Sequence, residues 1–180
     1  MGDVLYTVQS PFGASQYKHL AYDGDNNWMW HNQYVAPRRT VAFDLREDMD
    51  IVADWSMNAN NPMDFAVYDG TIYVMALWGT FLARFDFNGQ NIGNLNLNLE
   101  GSNANGVAVD RDNGLLIVGG TDYNLYVFNP DGSRVAQVGN GTVGQRIDNQ
   151  AWRSIEWVPI HHDGHLWVQT RGRAYQIEVD

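Results

Sequence analysis

Apolar residues fall along this chain in short runs separated by polar clusters rich in Asp, Asn and Gly. Runs that short, dominated by Val, Ile, Leu, Phe, Tyr and Trp, predict β-strands and not helices. The order is plainest over 106–139: GVAVD, a DRDNG turn, LLIVG, a GTDYN loop, LYVFN, a PDG turn and RVAQVG. Four strands with tight connections read as an antiparallel meander. Asp69-Gly70, Asn88-Gly89 and Asp131-Gly132 supply the positive φ that short hairpins need.

The same order recurs. The second-strand runs Trp28-Met29-Trp30, Ile72-Tyr73-Val74, Leu116-Ile117-Val118 and Leu166-Trp167-Val168 have centres 44, 44 and 50 residues apart. The following strands place Phe43, Phe85, Phe128 and Ile177 in line, 42, 43 and 49 apart. Such a period is the mark of propeller blades. The expected fold is therefore all-β, a four-bladed β-propeller of four-stranded antiparallel blades in one domain over 1–180. Its blades fall at about 17–56, 62–99, 104–139 and 152–180. The fourth unit stops after its third strand, and the N-terminal run VLYTVQ, 4–9, is expected to complete it and hide its edge. The near-continuous apolar first and second strands predict sheets covered on both faces.

Residues 103–132, NANGVAVDRDNGLLIVGGTDYNLYVFNPDG, resemble a repeat of the NHL and SMP-30/gluconolactonase-like propellers, and 61–89 with its flank is similar to a weaker copy. The shared features are an Asn or Pro opening, a G/F-V/A-V-D first strand, an N-G or D-G turn, an I-Y-V second strand and a third strand ending in D/N-G. Units one and four match loosely. The resemblance implies blade geometry. Those families usually have six blades, and the acidic and Asn metal ligands of the lactonases find no matching motif here, so the fold carries over and no catalytic residue does.

Charge narrows the partners. Twenty-one acidic residues against 11 basic ones give a net charge of −10, which repels phosphate backbones and anionic lipid. Neither nucleic acid nor membrane is expected as a partner. Without cysteine there is no disulfide and no thiolate metal site. The chain shows neither a signal-peptide pattern nor a spanning apolar run, so a soluble protein, cytoplasmic or virion-associated, is expected.

In such a propeller the 4-1 and 2-3 connections share one end and the 1-2 and 3-4 turns the other. The first end carries Arg38, Arg39, Arg146, Arg153, Arg171 and Arg173; the second carries Asp23, Asp25, Asp69, Asp110, Asp112 and Asp163. Guanidinium and aromatic groups mark recognition surfaces. The candidate ligand site at the arginine end comprises Tyr34, Arg38, Arg39, Asn60, Asn61, Trp78, Asn103, Asn105, Tyr123, Trp152, Arg171 and Arg173, facing a protein or carbohydrate partner. Turn geometry would select many of the same residues.

Two metal readings are weaker than their structural counterparts. Asp23, Asp25 and Asn27, or Asp110, Asp112 and Asn113, alternate as Ca²⁺ ligands do, yet hairpin turns use the same residues and no bidentate Glu follows. His161, His162 and His165 straddle a tight turn without an evident third ligand. No cofactor is expected. No GxSxG, Walker, Rossmann or cysteine-nucleophile pattern occurs, so the sequence predicts no enzyme. The expectation is a non-enzymatic binding or structural module, monomer or homodimer, which could be one piece of a virion or surface particle. The alternative is a metal-dependent lactonase or hydrolase of SMP-30-like type, which needs three or four ligands converging on the ring axis.

The closing strand gives a direct test. Deleting residues 1–10 should strip ladder hydrogen bonds worth about 0.5–1.5 kcal/mol each and expose an apolar edge. Thermal melts and light scattering should then show a lower melting temperature and aggregation; an equally soluble, equally heat-stable product would remove 4–9 from the blade.

Overall fold

In the computed structural model, residues 17–33, 37–46, 48–59, 62–76, 78–139, 154–158, 165–169 and 173–177 are described, and their apolar runs form strands throughout. Blade one holds β1 (Tyr17–Asp23), β2 (Trp28–Gln33), β3 (Arg39–Asp44) and β4 (Ile51–Ser56). Blade two holds β5 (Pro62–Tyr68), β6 (Thr71–Ala76), β7 (Phe81–Phe85) and β8 (Asn91–Asn96). Blade three holds β9 (Ala104–Asp110), β10 (Leu115–Gly120), β11 (Leu125–Phe128) and β12 (Arg134–Val138). Blade four holds β13 (Ser154–Trp157), β14 (Leu166–Gln169) and β15 (Ala174–Ile177). Each sheet is an antiparallel meander in sequence order. The sheets stand in a ring with β1, β5, β9 and β13 innermost, a four-bladed β-propeller. Blade four shows three strands among the described residues, and the closing strand expected at 4–9 lies outside them.

The pairing corrects the blade-one alignment by one residue. Met29 pairs with Phe43 as Ile72 pairs with Phe85, Leu116 with Phe128 and Leu166 with Ile177, so Met29 and not Trp28 is in line with the other three. The reason is the two-residue side-chain period of a strand: a slip of one sends every side chain to the other face. The observed register puts Trp30 in line with Tyr73, Ile117 and Trp167, and Trp30 is fully buried.

Alternation gives each blade one face toward the next blade. Ala21, Trp30 and Ala42 of blade one pack on Phe65, Val67 and Val74 of blade two. Ala66, Tyr73 and Met75 meet Val107, Leu116 and Tyr126 of blade three. Ala108, Ile117 and Leu125 meet Ile155, Leu166 and Val168 of blade four.

Polar contacts on the axis fix the blades at matching height. The β1–β2, β5–β6 and β9–β10 pairings are each interrupted near the start of the inner strand, and the next in-line residues are His19, Asp64 and Gly106, with Ser154 beside them in blade four. Asp64 is buried; His19 Nδ1 lies 3.2 Å from its Oδ1, while the backbone N–H groups of Val107 and Ile155 donate to its Oδ2 at 3.0 and 3.4 Å. One carboxylate from blade two thus contacts blades one, three and four. At the opposite end Arg111, from the β9–β10 turn, donates to the carbonyls of Tyr22 at 2.6 Å and Val67 at 2.7 Å.

Gly106 makes the first of these ties possible. A Cβ there would lie 2.9 Å from Ile155 Cγ1 and 3.3 Å from Asp64 Oδ2. Gly106→Ala should therefore lower stability by about 1–3 kcal/mol through overpacking. The control is Gly24→Ala, whose added Cβ meets nothing closer than 3.6 Å. Urea unfolding of both variants checks this, and equal midpoints would show that the axis does not depend on the close approach.

Candidate functional site

One rung deeper than the axial residues, the inner strands carry Ala21, Ala66, Ala108 and Glu156, opposite Trp30, Tyr73, Ile117 and Trp167. The three alanines sit in the hydrophobic clusters between blades. The fourth position breaks the pattern. Ile155 and Trp157 turn into the cluster against blade three, so alternation directs Ser154 and Glu156 to the opposite face, toward blade one. There Glu156 lines an open cavity of about 180 Å³ with Ser154, Trp167, Val168, Gln169 and Ala174. On the face of blade one turned toward blade four, Leu20 and Tyr22 are 58% and 43% exposed, and His31 pairs across from Leu20. The described residues that line the cavity all come from blade four, and the exposed Leu20 and Tyr22 stand on the face of blade one turned toward it.

The electrostatics single out Glu156. Its side chain keeps access to solvent, but crowding strips water from the carboxyl and is the largest cause of a pKa lifted from 4.5 to about 7; the charge of Asp64 adds to the rise and Arg111 opposes it. Asp64 bonds to the N–H of Ile155, the residue between Ser154 and Glu156, so its charge stands next to the cavity wall. Burial also raises the carboxyl of Asp64, while His19 and the two backbone N–H groups pull it back. Burial lowers His31, whose Nδ1 lies 3.1 Å from the carbonyl of His19. A carboxyl that titrates near neutrality can both give and take a proton at working pH.

The arginine-end residues expected from sequence divide three ways. Tyr34, Asn60, Asn61, Trp152 and Arg171 lie outside the described residues, as do Arg146, Arg153, His161 and His162. Arg38, Trp78 and Tyr123 stand in or beside the 2-3 connections of successive blades, each with positive φ (55°, 58° and 69°), and Trp78 is 53% exposed. Arg173 directly precedes β15. These connections share the end of the blades at which His19, Asp64 and Ser154 begin their strands. Others depart from the expectation of a loop site. Arg39 opens β3 and is held by Asp54 of β4, its Nε donating at 2.6 Å. Asn103 bonds through its backbone to Thr121. Asn105 lies in β9, fully buried, because the strand begins one residue before it.

The turns read as possible Ca²⁺ loops close on themselves. Asp23 accepts from Asp25 N at 3.1 Å and Asn26 Nδ2 at 2.8 Å; Asp110 accepts from Asp112 N, Asn113 N and Asn113 Nδ2. Among the described residues no three His, Asp or Glu side chains gather as a metal ion would require.

These features define the chain as a β-propeller with a polar axial end. No family model matches it and no curated protein is similar in sequence. Among solved structures it is similar to the glutaminyl cyclase of Myxococcus xanthus, with a TM-score of 0.68 and 14% identity over 91% of this chain and 72% of that one. That likeness shows the β-propeller fold and does not bear out the NHL or SMP-30 families specifically. It also corrects one expectation. The lack of a familiar catalytic motif predicts no enzyme, yet a protein of this fold is an enzyme, so motif-poor blades are no ground for excluding one.

His19, Asp64, Gly106, Ser154 and Glu156 were not singled out from the sequence. The available signal was an acid in a column of alanines, visible only once the blades are aligned in their true register.

The sign of the Glu156 shift gives a pH test. A carboxyl whose folded pKa lies above its unfolded value binds more protons in the folded state. Its contribution is present below pH 4.5 and lost as pH rises through about 7. Glu156→Gln should flatten the fall in stability between those limits, measured as urea midpoints across pH; an unchanged profile would mean that Glu156 titrates normally.

Proposed function

We propose that this protein is a propeller enzyme acting on a small polar group in the seam between blades four and one, with Glu156 as the proton-transferring residue. The observation that carries this reading is the replacement of an inter-blade alanine by a glutamate facing a cavity, beside a buried carboxylate. A packing role would favour the alanine of the other blades. Trp167 offers an aromatic wall, while Ser154 and Gln169 offer hydrogen bonds to orient a substrate. Arg38, Trp78 and Tyr123 at the same end suit recognition of the remainder of a peptide or glycan, with bulky side chains held at backbone angles that turns ordinarily give to glycine.

The enzyme sharing the fold is named for glutaminyl groups, so peptides with N-terminal glutamine are the first substrates to assay, followed by sugar lactones. With an active substrate, Glu156→Gln should lower kcat about 10²–10⁴-fold with little change in KM. The kcat/KM profile of the unaltered protein should show an apparent pKa about 7. Full activity in Glu156→Gln, or a profile flat through neutrality, would reject this assignment.

A further inference from the structure

Four buried polar atoms beside the axial pair have no hydrogen-bond partner among the described residues. His19 pairs across strands with Asn32, and Asn32 with Thr40, so three polar side chains form one row across β1, β2 and β3. The row lies on the face of blade one turned toward blade two, since the adjacent rung holds Ala21, Trp30 and Ala42 in the core between those blades. Asn32 and Thr40 have no exposed surface. His19 presents Nδ1 to Asp64, while its Nε2, both amide atoms of Asn32 and Oγ1 of Thr40 find no partner among the described residues.

Protein interiors leave few polar atoms in this state, and a cluster of adjacent ones signals a bound guest. The chemistry of the row specifies its kind. Asn and Thr each donate and accept, and an imidazole nitrogen can do either according to whether it carries a proton. Neutral amide and hydroxyl groups hold a metal ion poorly and carry no charge for an anion. A small guest needing two to four hydrogen bonds of mixed sense fits, and that is water. We propose that His19, Asn32 and Thr40 form an internal hydration site, with ordered water against Nε2 of His19. Its consequence is a wet side to an otherwise enclosed pair: Asp64 is 2% exposed, yet the imidazole beside it touches ordered water. The site is independent of the role given to Glu156.

Thr40→Val tests it with little change of shape, and Thr40→Ser keeps the hydroxyl. Oxygen-17 relaxation dispersion of the unaltered protein should detect long-lived internal water, part of which is lost in Thr40→Val and retained in Thr40→Ser. If water satisfies the hydroxyl, Thr40→Val should lower the melting temperature by about 2–4 °C and Thr40→Ser should recover most of it. A dry, unpartnered hydroxyl predicts the reverse, because replacing it with a methyl removes a desolvation penalty and raises the melting temperature. That rise, a water signal indifferent to Thr40→Val, or no long-lived water in the unaltered protein would each overturn the proposal.

Discussion

A single carboxylate on the axis, that of Asp64, is the contact on which the arrangement of blades depends. Within each blade the strands pair with one another through their backbones, and what joins blade to blade is mainly apolar packing, which is strong but non-directional. Packing alone would leave neighbouring sheets free to settle at different heights. The bonds from Asp64 to the N–H groups of Val107 and Ile155, and its contact with His19, are directional and bring all four inner strands to one level. Charged hydrogen bonds contribute about 1.5–3 kcal/mol each, but desolvating a buried carboxylate offsets much of that. The tie therefore contributes more to register than to net stability, while stripping its partners would be severe.

The same buried charge shapes the chemistry next door. Asp64 stands against the peptide that links Ser154 to Glu156, so a group placed to align blades also raises the pKa of a carboxyl in the seam. Glu156 is held at some cost to stability at neutral pH, where an alanine would impose none. Sites that break the local pattern of a fold and weaken it are where function is expected.

The fold was legible because a blade declares itself through a period, and Phe43, Phe85, Phe128 and Ile177 are in line in the structure as in the sequence. Blade one slipped because Trp28-Met29-Trp30 is apolar throughout, and a continuous apolar run carries no alternation from which to choose a face. That slip hid the site. With Trp28 in line with Ile72, the column containing Glu156 no longer reads as alanine in every other blade. At the rim, Arg38, Trp78 and Tyr123 stand in or beside the 2-3 connections, as the strand order implies. Asn105 departs from the loop expectation because an Asn-Gly pair after a polar stretch reads as a turn, whereas here it lies within β9, where Gly106 makes room for a neighbouring carboxylate.

Arg111 points to a different kind of consequence. Its guanidinium binds the main-chain carbonyls of Tyr22 and Val67, and Asp64 likewise takes main-chain N–H groups from blades three and four. Main-chain acceptors and donors survive nearly every substitution at the residues that bear them. At these two ties the specific side chain comes from one partner only, and the positions it holds can vary in side chain. Tyr22 and Val67 occupy equivalent places and share no side-chain chemistry, yet they serve Arg111 alike. A ring tied in this way tolerates blades of unlike sequence, as the loosely matching first and last units are here, without loss of its shape.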